Sequence, residues 1–216
     1  MILRHLQDLI GRIYDVRVAH DVYDFLVTDR SRLPQAAQSG ATDEALIVAH
    51  DGDGDAVGVS LYLDPDLLQR LRRADPLRRL DERNVADCWT ALEGVSHFVY
   101  FTWNAGHDKP VSLLELEMQA EVDKYVASFW LLRRQFPQRF PAELLNLLFE
   151  RTRIDPRLAQ GREDIYREAS RYAERFCRRL ERALRREAST QDVLAELRRF
   201  YRLTGDRKVA HIERTA

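Results

Sequence analysis

Apolar residues fall at positions 2, 3, 6, 9, 10 and 13, the spacing of one helix face, so the chain is predicted to open on a helix. The rhythm then shortens. ValTyrAspPheLeuValThr at 22–28 is rich in β-branched and aromatic residues and predicts a strand. Residues 30–44 are polar, carry Pro34 and Gly40, and predict a loop. Runs at 45–50 and 56–63 predict a β-hairpin. Val57, Val59, Leu61 and Leu63 alternate with Gly58, Ser60 and Tyr62, and AspGlyAspGlyAsp supplies the turn.

From Asp64 onward the spacing is helical. Asp64 is an N-cap with Pro65 in the first turn, predicting a short helix to about Ala74. Asp75–Pro76 repeats the device, and a long apolar helix follows near 82–104. Residues 104–110 break it, and Ser112-x-x-Glu115 is a capping box opening a helix to about Phe136. Pro141 opens another, to about Arg151. Residues 162–187 form a long amphipathic helix, and 190–203 a last one capped by Ser189 or Thr190. One helix, three strands and six helices predict an α+β protein, mainly α, in which a small antiparallel sheet of about three strands packs on a helical bundle. The expected organisation is a single domain over 1–216, with 1–64 giving the N-terminal helix and sheet and 65–216 the bundle.

Composition narrows the class. Hydrophobic residues make up 45% of the 216 and charged residues 32%, the balance of a soluble globular chain. A formal net charge of −1 gives no global pull toward nucleic acid or an anionic membrane. The most apolar stretch, 95–103, is too short to span a bilayer, and the first helix lacks the unbroken apolar run of a signal peptide. Cys88 and Cys177 lie inside helical patterns and are expected as reduced core thiols, placing the protein in the cytoplasm. There is no P-loop, no Gly-rich dinucleotide turn, no HisGluxxHis, no CysxxCys pair and no nucleophile elbow. Asp51, Asp53 and Asp55 alternate as in a calcium loop, but the positions that need Gly and Glu hold Ala56 and Tyr62, so hairpin chemistry accounts for them.

Two helices carry polar residues where apolar ones are expected. In 82–104, Leu92, Val95, Phe98, Val99, Phe101 and Trp103 spread round the wheel, yet Ala86, Thr90, Glu93, His97 and Asn104 share one narrow lane. In 112–136, a ridge of Glu117, Glu121, Lys124 and Ser128 separates two apolar faces. Glu115 is assigned to the capping box. The seven-residue link at 104–110 predicts an antiparallel pair, in which residues whose numbers sum to about 216 lie level. Glu121 then sits near 95 and Glu117 near 99, at the depth of Glu93 and His97. Whether the lanes face each other is not set by the sequence.

The plainest account of facing lanes is a buried network, with Lys124 neutralising Glu117 or Glu121 and His97 donating to a carboxylate. A metal site is the chemical alternative: Glu93, His97, Glu117 and Glu121 are ligands for zinc, manganese or iron. The spacing departs from the Glu-x-x-His pairs of di-iron bundles. Without metal, Glu121 would orient His97 as a general base.

Residues 162–187 are studded with arginine. Arg178, Arg179, Arg182 and Arg186 are the candidates for contacting nucleic acid or a partner. Interleaved Glu168, Glu174, Glu181 and Glu187 favour a solvated face with internal ion pairs. The leading expectation is therefore a binding protein without catalysis of its own, an adaptor or regulatory subunit. Its partner would be protein, including a second copy, rather than nucleic acid or membrane. The alternatives are a metal-dependent enzyme using the carboxylate and histidine lanes, and a nucleic-acid binder using the arginine-rich helix.

Overall fold

The structure is a computed structural model and describes residues 2–33, 35–38, 42–50, 57–149, 163–186 and 189–214. Helix α1 (Ile2–Tyr14) buries Leu3, Leu6, Ile10, Ile13 and Tyr14 along one face, as its spacing predicts. It ends where Asp15 takes a left-handed conformation, φ 53°. The strand expected at 22–28 is mostly a 3₁₀ turn. Asp21 accepts a hydrogen bond from the Tyr23 amide and winds Val22–Phe25, leaving only β1 (Leu26–Val27) extended. Side-chain capping by aspartate overrides the β-branched composition there. A second 3₁₀ turn (Arg30–Arg32) and the short α2 (Gln35–Gln38) lead to β2 (Glu44–His50) and β3 (Val57–Leu63).

β2 and β3 pair antiparallel, from Glu44 opposite Leu63 to His50 opposite Val57. β1 adds to the other edge of β3 in parallel, Leu26 opposite Leu61. The small sheet is thus mixed, in the order β1-β3-β2, and its antiparallel part is the expected hairpin. Asp51, Asp53, Asp55 and Ala56, weighed for calcium, lie outside the described residues.

Asp64 accepts from the Asp66 amide and starts α3 (Pro65–Arg73), as predicted. Asp75–Pro76 opens only a turn. Asn84 ties that segment together, accepting from the Asp81 amide and donating to the carbonyls of Ala74 and Arg79, so α4 begins at Val85 and runs to Ala105. Ser112 caps α5 (Leu113–Gln135). α6 (Leu144–Phe149) starts one turn after Pro141. α7 (Glu163–Arg185) and α8 (Thr190–Arg202) match their expected spans, and the chain adds α9 (Gly205–Arg214), which the pattern did not announce.

α4 is buried on nearly every side, because α1, β2, β3 and α5 all pack on it. α5 lies between α4 and α7. Three hydrogen bonds fix the α4–α5 register: Trp89 to Ser128, Ser96 to Asp123 and Tyr100 to Glu115. Numbers rise on one helix as they fall on the other, so the pair is antiparallel, close to the register expected from the link. One apolar cluster runs from Leu3 in α1 to Ile212 in α9. Cys88 and Cys177 are free and buried within it; burial pushes the Cys88 thiol up to about 12 and raises that of Cys177 as well. Among the described residues no helix is long and apolar enough to cross a membrane.

Candidate metal centre

The two polar lanes face each other. His97, in the middle of α4, is 4% exposed. Glu93 sits one turn before it on the same face, and Glu117 meets both from α5. One ligand atom from each of the three lies within 4.8 Å of the others. The His97 ring is held from opposite sides. Its Nδ1 is 3.3 Å from Glu44 Oε1, a hydrogen-bonding distance. Its Nε2 is 3.6 Å from Glu117 Oε2, an ion-pair separation slightly too long for a hydrogen bond. Burial alone would lower the His97 pKa, but Glu117 and then Glu44 outweigh it and hold the ring well above the usual histidine value.

Glu121 lies beside this group without touching the ring. Lys124 takes it, Nζ to Oε1 at 2.8 Å, and at the same time takes Glu93 Oε2 at 2.6 Å. Burial disfavours the charged carboxylate of Glu93, yet Lys124 and His97 outweigh it and lower its pKa. The pairing of Glu121 with His97 that a general-base arrangement needs is therefore replaced by two others: Glu121 with Lys124, and His97 with Glu44 and Glu117. Four carboxylates (Glu44, Glu93, Glu117, Glu121) surround two cations (His97, Lys124), a formal surplus of two negative charges. The rim of the group is wet: the side chains of Glu93 and Glu121 are 28% and 22% exposed.

Glu44 is the member that the sequence did not disclose. It opens β2, fifty-three residues from His97, and reaches α4 because Gly94 has no side chain. A Cβ at Gly94 would stand 2.9 Å from Glu44 Cγ and 2.9 Å from Leu61 Cδ1. A glycine inside a strongly apolar helix is the sequence signal for such a close approach. Burial raises the Glu44 pKa, and the His97 ring offsets part of that rise.

The opposite row of α5 builds a second polar group, closed on itself. Asp123 accepts from Tyr14, Ser96 and Gln119. Glu115 caps less than expected: its amide bonds to Ser112, but its carboxylate accepts from the Tyr100 hydroxyl and the Gly205 amide. Lys208 of α9 is wholly buried, donates to Gln119, and rests 4.2 Å over the Phe200 ring and 4.9 Å over that of Tyr100. Every carboxylate oxygen here has a donor, which is the mark of a structural network.

Two of the four arginine candidates are engaged in ion pairs and the other two are exposed. Arg178 pairs with Glu174, and Arg179 with Glu196 of α8. Arg182 and Arg186 are exposed. A cleft of about 680 Å³ opens elsewhere, floored by Leu80, Val85, Leu132, Leu144 and Leu147. Phe136 on its lip is the one exposed large hydrophobic side chain among the described residues. Set against models of protein families, against curated proteins and against solved structures, the chain finds no match.

Proposed function

We propose that the protein binds a divalent metal ion between α4 and α5, with Glu93, His97 and Glu117 as ligands, and works as a metal-dependent enzyme. The observation that carries this reading is the convergence of His97 Nε2 with the carboxylates of Glu93 and Glu117, with the nearer of the two contacts, to Glu117 at 3.6 Å, too long for a hydrogen bond. A divalent cation bound there takes the place of the ring proton at His97 Nε2 and offsets the negative surplus. One imidazole with two carboxylates suits manganese, iron or zinc. Three protein ligands leave coordination positions open, as catalytic sites do and closed structural sites do not. Lys124 already sits between Glu93 and Glu121, so the group has room for one added ion rather than a pair.

The test is metal content by mass spectrometry on tag-free protein, beside His97→Ala and the gentler Glu117→Gln, with circular dichroism to confirm folding. Near-stoichiometric manganese, iron or zinc in the wild type, lost in folded variants, supports the site. A folded wild type without metal after growth in supplemented medium overturns it, and attention passes to binding of a protein partner at the cleft beside Phe136.

A further inference from the structure

The apparent loose end of the centre is Glu44, a carboxylate delivered from the sheet to the far side of the histidine. We infer that Glu44 is the positioning residue of the centre: it holds His97 through Nδ1 so that Nε2 points at Glu93 and Glu117, and an ion bound there locks β2 onto α4. The inference rests on the metal reading above and adds to it the device that aims the ligand and the element the ion secures.

A histidine ligates through one nitrogen, and the group bonded to the other fixes its tautomer and tilt. Glu44 occupies that second place, 3.3 Å from Nδ1. The strand end that carries it is itself pinned. The Asp64 amide donates to the Asp43 carbonyl at 2.9 Å, and the Thr42 hydroxyl donates to the Glu44 carbonyl at 2.6 Å. Gly94 lies on α4 one turn before His97, and its missing Cβ is the space through which the Glu44 side chain passes. The sheet and the helix thus each give up something specific for this contact: a largely covered acid at a strand end, and a glycine in a helix interior. Lys124 neutralises Glu93 and Glu121, and among the described residues Glu44 alone bonds to Nδ1.

The experiment titrates Co²⁺ into the metal-stripped full chain and follows its visible absorption, which reads ligand geometry. The variants are Glu44→Ala and Glu44→Gln. Hydrogen exchange of the β2 and β3 amides is measured with and without Co²⁺. The expected result is a ten- to hundredfold weaker Co²⁺ site and an altered absorption band in Glu44→Ala. Glu44→Gln should fall between, because its amide oxygen still accepts from Nδ1. Bound Co²⁺ should slow exchange in β2 of the wild type and not of Glu44→Ala. Wild type that binds Co²⁺ with unchanged β2 exchange, or a folded Glu44 variant with wild-type affinity and spectrum, overturns the positioning role alone. A folded wild type that binds no Co²⁺ overturns the metal reading with it. If Glu44→Ala fails to fold, Glu44→Gln and the wild-type exchange experiment decide the matter.

Discussion

Gly94 is a poor residue for the middle of α4, since glycine costs a helix interior about 1 kcal/mol relative to alanine. Its packing reverses that preference. An alanine Cβ would press on Glu44 Cγ and on the fully buried Leu61, both at 2.9 Å. Overpacking of this kind costs about 1–3 kcal/mol, enough to outweigh the propensity gain. Gly94→Ala is therefore expected to lower the urea midpoint. Unchanged or increased stability in that variant would show that the sheet does not rest on this gap. Glu93, His97 and Glu117 could be placed at one depth from spacing and register, because helix period and a short link fix which residues lie level, but not turned toward one another. Glu44 could not, because nothing local ties a strand-end acid to a helix so distant in sequence. Lys124 was legible as a neutralising cation, but its choice of Glu93 over Glu117 depends on side-chain reach.

At the scale of elements, α5 carries two polar rows back to back. Glu117, Glu121 and Lys124 stood out as a charged ridge between two apolar faces. Gln119 and Asp123 did not, and two of the groups that complete their network, Tyr14 and Lys208, come from opposite ends of the chain. α9 escaped notice for a related reason: it buries only Lys208, His211 and Ile212, too few apolar positions to make a periodic stripe. Capping residues predicted α3, α5 and α8 well, whereas composition misjudged Val22–Phe25, where one aspartate closes a turn. The docking of α9 has a pH signature. Burial pushes the Lys208 ammonium down to about 7, with Glu115 and Asp123 offsetting part of the effect. An unfolded lysine titrates near 10.4. Between about pH 7 and 10 the unfolded chain thus holds a proton that the folded chain has released, so this group makes stability rise with pH, by up to about 1.4 kcal/mol per pH unit. Lys208→Met should lack that contribution. Urea denaturation from pH 7 to 9.5 should show wild type gaining on the variant as pH rises; parallel curves would remove Lys208 as the source. Asp123 acts in a lower window. Burial brings its carboxyl up to about 6, against the hydrogen bonds from Ser96, Tyr14 and Gln119, so its contribution favours the fold at acid pH and fades as pH rises through 6.

For the whole molecule, the apolar cluster that joins α1 to α9 makes separate melting of the sheet and the bundle unfavourable, because each would expose surface on α4. Cys88 in α4 and Cys177 in α7 sit on two different helices of that cluster. With both thiols buried and held in the unreactive protonated form, a thiol reagent should label neither in the native protein and both in a single phase as denaturant unfolds it. Labelling of one cysteine well before the other would reveal a partly open state. The same burial has a practical corollary for anyone handling the protein. A cysteine introduced at an exposed position such as Arg182 would be the only thiol a fluorophore or spin label finds under native conditions. With a second such cysteine at exposed Ala49 of β2, the distance between the two labels could be followed with and without added metal while both natural cysteines remain in place.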